Sequence, residues 1–299
     1  CLAQFLGYSQ HFMLAPVLPL YVTDLGGSAF VVGLVLACFA VTSVVIRPLV
    51  GHWADRWSET GVLIGGLLFQ GARVFLCLLP MVEAVMLPNA LRGQGWGGLN
   101  TGGYSLLALT APESRRGEAS GLYSGVQGAA SIIFPAVALW LLASSFGGFN
   151  VVFVTTALLS LLAAGVGTVM MRYSPRVSRA PQPEEARPWW REVFHFVEPE
   201  IFLPSVLLLW LNLALPSMTN FIVLYARELL LENFGIYFII CGITNLLARP
   251  GLGRLSDKIG RGRSIAAGFM LQVLALSLIT LVSSLPGIVV AGVLYMLGN

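Results

Sequence analysis

Polar and ionisable side chains recur at helical spacing inside otherwise apolar runs of this 299-residue chain. Gln4, Tyr8 and His11 stand at i, i+4 and i+7, one face of a helix. Asn89, Arg92, Trp96 and Asn100 share most of a second face, and Tyr123, Gln127 and Ser131 a third. Asn212, Ser217 and Asn220 flank Pro216, and Thr244 and Asn245 interrupt a later run. Such groups suit the recognition of a solute by hydrogen bonds and charge. The sharpest is Arg92, because a charged side chain deep in a membrane span costs about 2.5–3.5 kcal/mol on insertion scales. Two roles stay open for it: an anchor for an anionic or carbonyl-bearing solute, or a hydrogen-bonded clamp between helices. Arg73, three residues after Gln70, reads as a clamp. His11 titrates near neutrality and is a candidate proton carrier, or simply a hydrogen-bonded residue.

Covalent chemistry finds no support. The sequence contains no GxSxG, HExxH or paired-carboxylate motif, so no enzyme, cofactor or metal site is expected. Cys1, Cys38, Cys77 and Cys241 lack CxxC spacing. No Asp or Glu falls deep in an apolar run; Asp24 and Glu83 lie near outer ends. Proton coupling would then use His11, an outer-edge acid, residues beyond this chain, or be absent altogether.

The elements that must position these groups are membrane helices. Hydrophobic residues make up 57% of the chain and charged residues 10%, with a mean hydropathy of +0.82. Soluble domains carry roughly 25% charged residues. Apolar spans are expected near 2–22, 29–50, 61–80, 84–110, 119–143, 151–171, 201–224, 234–251 and 264–284, with a tenth starting near 286. Each must be helical, because hydrocarbon offers the backbone no hydrogen-bond partner. The tenth run is short, and the chain is expected to be a piece of a longer protein.

The basic residues orient the spans. Segments 51–60, 112–118, 172–200 and 252–263 hold Arg56, Arg115, Arg116, Arg172, Arg176, Arg179, Arg187, Arg191, Arg254, Lys258, Arg261 and Arg263; the opposite loops hold only Arg227. The first set is therefore cytoplasmic. The net charge of +3 reflects this topology, and basic residues dispersed over alternate short loops argue against nucleic acid as a partner. Residues 172–200, with five prolines, form the expected linker between two parts, 1–171 and 201–299. In the linker, apolar positions 190, 193, 194 and 197 suit a short helix on the membrane surface.

The two parts repeat a motif. Leu20-Tyr21 followed by Arg47-Pro48-Leu49-Val50-Gly51-His52-Trp53-Ala54-Asp55-Arg56 returns as Leu224-Tyr225 followed by Arg249-Pro250-Gly251-Leu252-Gly253-Arg254-Leu255-Ser256-Asp257-Lys258. Related halves in a membrane protein point to a transporter with its site between them. The glycines should let helix ends approach, and Asp55 and Asp257 should cap the start of the following helix.

Gly51-x-x-x-Asp55-Arg56 and Gly253-x-x-x-Asp257-Lys258-x-Gly260-Arg261-x-Arg263 resemble the cytoplasmic motif of the major facilitator superfamily, which joins helices 2 and 3 and again helices 8 and 9. The first copy departs after Arg56, where Trp57-Ser58-Glu59-Thr60 replaces a Gly-Arg-Arg ending. Asn89-Ala90-Leu91-Arg92-Gly93-Gln94-Gly95-Trp96-Gly97 is loosely similar to the Arg and Gly-rich run of the fourth helix; aligned on the glycines, Asn89 takes the Arg position. The resemblance implies an all-α polytopic fold of two pseudo-symmetric six-helix bundles. About nine and a half of the twelve helices would be present: a complete bundle in 1–171, and helices 7 to 9 with the start of 10 in 201–299. It also implies a cavity lined by helices 1, 4, 7 and 10. The candidate binding residues are then Gln4, Tyr8, His11, Asn89, Arg92, Asn100, Gln127, Asn212 and Asn220. The candidate gating residues are Gly51, Asp55, Arg56, Gly253, Asp257, Lys258, Gly260, Arg261 and Arg263.

The expected protein is a monomeric secondary transporter in a bacterial inner membrane, an efflux permease by the Pro19-Leu20-Tyr21 end of helix 1 and the Arg-Pro-x-x-Gly-x-x-x-Asp pattern. Its partners are a small-molecule substrate, the lipid bilayer and, as a candidate coupling ion, the proton. Uptake of an organic anion or metabolite, and a non-transporting receptor or scaffold with the same fold, remain the alternatives.

Overall fold

A computed structural model describes residues 1–56, 58–78, 81–112, 115–144, 148–173, 205–207, 209–210 and 212–298. The linker segment 174–200, with its expected surface helix, lies outside the described residues, as do the side chains of Asp55, Arg56, Gly253, Asp257 and Arg261. Among the described residues there are eleven α-helices and no strand: α1 (Leu2–Asp24), α2 (Ala29–Val45), α3 (Arg47–Arg56), α4 (Glu59–Arg73), α5 (Val82–Thr110), α6 (Arg116–Ala143), α7 (Phe149–Tyr173), α8 (Ile222–Glu228), α9 (Gly235–Ile259), α10 (Arg261–Leu281) and α11 (Leu285–Gly298).

Helices α2 and α3 form one span, Ala29–Ala54. This span and Ala119–Ala143, Phe149–Met171 and Gly262–Leu281 are long and apolar enough to cross a membrane on composition alone. Of the other helices, α4, α8 and α11 are shorter, and α1, α5 and α9 carry polar residues and prolines that dilute that signal. Helix α1 runs unbroken through Pro16 and Pro19, which leave the Phe12 and Ala15 carbonyls without their helical N–H donors, a loss that membrane spans tolerate.

The helix boundaries follow from turn chemistry. Gly26, at φ +87°, takes the left-handed turn after α1, and Ser28 caps α2. Ser58 caps α4, its hydroxyl accepting from the Gly61 N–H at 3.1 Å, with Glu59 in the first turn. This corrects the expected role of the repeated acids. Asp55 lies in the last turn of α3 and Asp257 in the last turn of α9, so neither starts a helix; Gly260, at φ +88°, is the N-cap of α10. The helix simply continues farther past the Arg-Pro pair than the motif suggested. Gly51 is also not a close-packing point, since a methyl group there would meet nothing within 4 Å.

Close packing occurs elsewhere. A methyl at Gly93 would stand 2.1 Å from Thr42 Oγ1, and one at Gly97 would stand 2.7 Å from Ile46 Cγ2, so α5 lies tight against α2. On another side α5 meets α4, where Gly98 faces Gly66 and Gly102 faces the Glu59 carbonyl. In α6, Gly121 and Gly125 face open space, while Gly128, Ile132 and Ala136 pack in turn on Leu246, Gly242 and Gly235 of α9. That seam joins the first six spans to the later part of the chain.

Candidate functional site

The polar faces of α1, α5 and α6 converge. Fully buried Tyr8 donates its hydroxyl to Asn100 Oδ1 at 3.0 Å, and Asn100 Nδ2 donates to the Trp96 carbonyl at 2.9 Å. Gln4 and Tyr123 lie beside the same Tyr8 hydroxyl. They approach α5 at Gly103, where a methyl would meet Tyr123 Oη at 2.3 Å and Gln4 Oε1 at 2.9 Å. Tyr104 and Tyr123 hold their rings 4.7 Å apart.

One turn further along α1, His11 stacks on Trp96 with ring centroids 4.1 Å apart and planes at 23°. The Phe39 ring lies 5.3 Å from His11, and the Arg92 guanidinium sits over Phe39 at 4.2 Å from its centroid. A cation on an aromatic face is stabilised by the ring quadrupole. His11, Trp96, Phe39 and Arg92 therefore form a connected layer reaching from α1 through α5 to α2.

Asn89 and Arg92 were expected to line a cavity wall. The structure places both almost wholly under cover, at 1% and 3% exposure. Asn89 donates to the Val35 carbonyl of α2 at 2.5 Å, and Arg73 Nη1 donates to the Pro88 carbonyl of α5 at 2.9 Å. Gln10 donates to the Gln70 carbonyl at 2.8 Å. These bonds tie α2 and α4 to α5 and α1 to α4, as expected for Arg73 and beyond expectation for Asn89. Gln10 escaped the sequence reading because it falls off the Gln4–Tyr8–His11 face; its only signal was polarity in an apolar run.

The remaining candidates are not drawn into this cluster by any described contact. Gln127 is half-buried on α6, and Asn212 is exposed. Asn220 lies in a π-helical turn, Ser217–Phe221, and donates to Thr219 Oγ1 at 3.2 Å. Lys258 and Arg263 are exposed, near the end of α9 and the start of α10.

Sequence reasoning also missed a contact between the chain's two parts. Asp24, at the end of α1, pairs with Arg227, in the last turn of α8. Beside it Leu20 packs with Ile222, Val223 and Ala226, and Phe221 and Leu224 pack against the cluster of Leu14, Leu18 and Tyr21. The available signal was a lone acid and a lone base at the outer ends of the first and seventh spans. Next to the pair lies an open, mostly apolar cleft of about 1150 Å³, bounded by Leu20, Trp140, Phe234 and Ile239. This cleft lies beside the end of α1 and contains none of Tyr8, His11, Arg92 or Asn100.

Comparison with known proteins gives a consistent picture. The family model described as Major Facilitator Superfamily matches residues 1–299. Over 281 residues the chain is 30% identical to the multidrug resistance protein MdtG of Yersinia enterocolitica, covering 88% of this chain and 66% of that protein. It is 28% identical over 282 residues to MdtG of Escherichia fergusonii, with the same coverage. The chain thus spans just under two thirds of the length of these relatives. Among solved structures, a bacterial homologue of the human lysosomal transporter Spinster superposes with a TM-score of 0.74 at 16% identity, covering 99% of this chain and 70% of that one. The nucleoside transporter NupG, as its D323A mutant, gives 0.74 at 15% identity, covering 99% and 78%.

Proposed function

The chain belongs to the major facilitator superfamily, and from that premise we propose that it forms the larger part of a secondary transporter that exports small molecules across a bacterial inner membrane by alternating access. The observation that carries this reading is the layer of Tyr8, His11, Trp96 and Asn100, where polar heads sit among aromatic rings at mid-length of α1 and α5. His11, Trp96 and Asn100 are the half-buried members of this layer and receive planar, amphipathic solutes by stacking, with a few hydrogen bonds to fix their orientation, while fully buried Tyr8 holds Asn100 from behind. The names of the MdtG relatives support export of this class of molecule. Asn89 and Arg92 belong to the supporting layer behind it.

The outer contacts of Leu20 and Asp24 with α8 support an outer-closed state, and the α6–α9 seam is where the two bundles rock. The proton is the coupling ion in this reading, with His11 as its carrier.

Flux of a fluorescent aromatic cation or neutral dye from proteoliposomes containing the full-length protein tests the proposal. Asn100→Ala and Tyr8→Phe should reduce flux and dye affinity together while the melting temperature changes little. Wild-type protein that moves no dye in either direction would favour the receptor or scaffold reading; dye accumulation against the export direction would favour uptake.

A further inference from the structure

We propose that the interior of the first bundle holds a small inorganic anion, chloride being the natural occupant, between Arg73 of α4 and Arg92 of α5. Both side chains are 3% exposed, and they lie within electrostatic reach of each other and of His11. Arg73 spends one N–H group on the Pro88 carbonyl, while its Nε and Nη2 have no partner among the described residues. Arg92 leaves Nε and Nη1 unpartnered in the same way, and so does Gln70 its Nε2. Five buried donors from three side chains of the adjoining helices α4 and α5 are thus left unpartnered among the described residues. Gln70 is held there by contact with Gly95, where a methyl would stand 2.4 Å from Gln70 Cγ.

Hydrogen bonding alone does not demand an anion, since buried water could satisfy these groups, together with the unpartnered oxygens of Gln10, Gln70 and Asn89. Charge is the deciding term. A guanidinium does not give up its proton in a protein, so both groups stay cationic. The C-terminal end of α4 and the Pro88 carbonyl offset part of the charge on Arg73. Arg92 is mid-helix, and among the described residues the contact recorded for its charge is the Phe39 ring face. The acids of residues 1–171 are Asp24, Asp55, Glu59, Glu83, Glu113 and Glu118, each within three residues of a helix end or between helices. Two like charges under cover in a low-dielectric span repel each other and lack hydration, and a monovalent anion relieves both costs at once. The site is closed from solvent by Gln10, Gln70 and Asn89, all at most 1% exposed, so it suits a resident ion better than a transported solute.

The test is thermal unfolding of the purified full-length protein in detergent at constant ionic strength, in sodium chloride against sodium gluconate. Wild-type protein should melt at lower temperature in gluconate and recover with added chloride or bromide. Arg73→Gln should melt identically in both salts, and Arg73→Lys should keep a reduced halide response. Bromide-soaked wild-type crystals should show an anomalous peak between the two guanidinium groups, a readout that needs no variant. Equal wild-type melting in the two salts without an anomalous peak would sink the proposal, as would a halide response left unchanged in both Arg73→Gln and Arg92→Gln.

Discussion

Asp24 and Arg227 stand 203 residues apart in the chain and form an ion pair that joins the end of the first span to the end of the seventh. Their side chains are 37% and 50% exposed, so the pair contributes at most about 1 kcal/mol after solvent screening. A weak closure at the outer rim is what a gate requires, because it must open on every cycle. Cysteines replacing both residues should cross-link under oxidation and stop flux, and reduction should restore it. Unimpaired flux in the cross-linked protein would show that the outer ends of α1 and α8 need not separate.

The repeated cytoplasmic motif should bias the same equilibrium from the other side. Asp257→Asn should slow transport more than it weakens ligand binding, since the residue lies at the end of α9, away from the Tyr8–Asn100 layer. Asp55→Asn should act in the same direction and more weakly, because its motif copy is incomplete. Equal losses of binding and flux would assign these acids to the site instead.

Arg92 separates site from support. If it holds the bundle together behind Phe39, Arg92→Gln and Arg92→Lys should lower the melting temperature, with Gln the more damaging. Ligand affinity, corrected for folded fraction, should stay unchanged in both. A loss of affinity at constant melting temperature would return Arg92 to the substrate surface.

Helix packing makes a sharper contrast between two glycines. Gly93→Ala must displace α2, whose Phe39 carbonyl oxygen and Ser43 nitrogen would lie 2.5 and 2.7 Å from the new methyl. It should destabilise the protein by about 1–3 kcal/mol. Gly121→Ala, which meets nothing within 4 Å, should be neutral or slightly stabilising. Unfolding in graded denaturing detergent compares the two directly, and equal stability would contradict the α2–α5 contact.

Topology is tested by labelling. In a background lacking Cys1, Cys38, Cys77 and Cys241, a cysteine at Ser283 should react with an impermeant maleimide from outside intact cells, and one at Ser178 should not. External labelling at Ser178 would reverse the orientation drawn from the arginines.

Composition and periodicity reveal the class of protein without any coordinates, because a bilayer imposes rules that they express directly. Twenty apolar residues must become a helix in hydrocarbon, and the arginines of the loops concentrate on one side. A motif written twice marks two related halves. The sequence also pointed to Gln4, Tyr8, His11 and Asn100, since i, i+4, i+7 spacing places side chains on one helix face whatever the neighbours are. Spacing within a helix does not say which neighbour that face meets. Only the tertiary structure decided that Tyr8 bonds to Asn100, that His11 stacks on Trp96, and that Asn89 and Arg92 turn inward toward α2. The rotation of α5 is set by its glycines, Gly93 and Gly97 against α2 and Gly98 and Gly102 against α4, which allow close approach on those sides and carry Arg92 under cover. The Asp24–Arg227 pair needed the packing of two distant helix ends, a contact between parts of the chain that no local periodicity encodes.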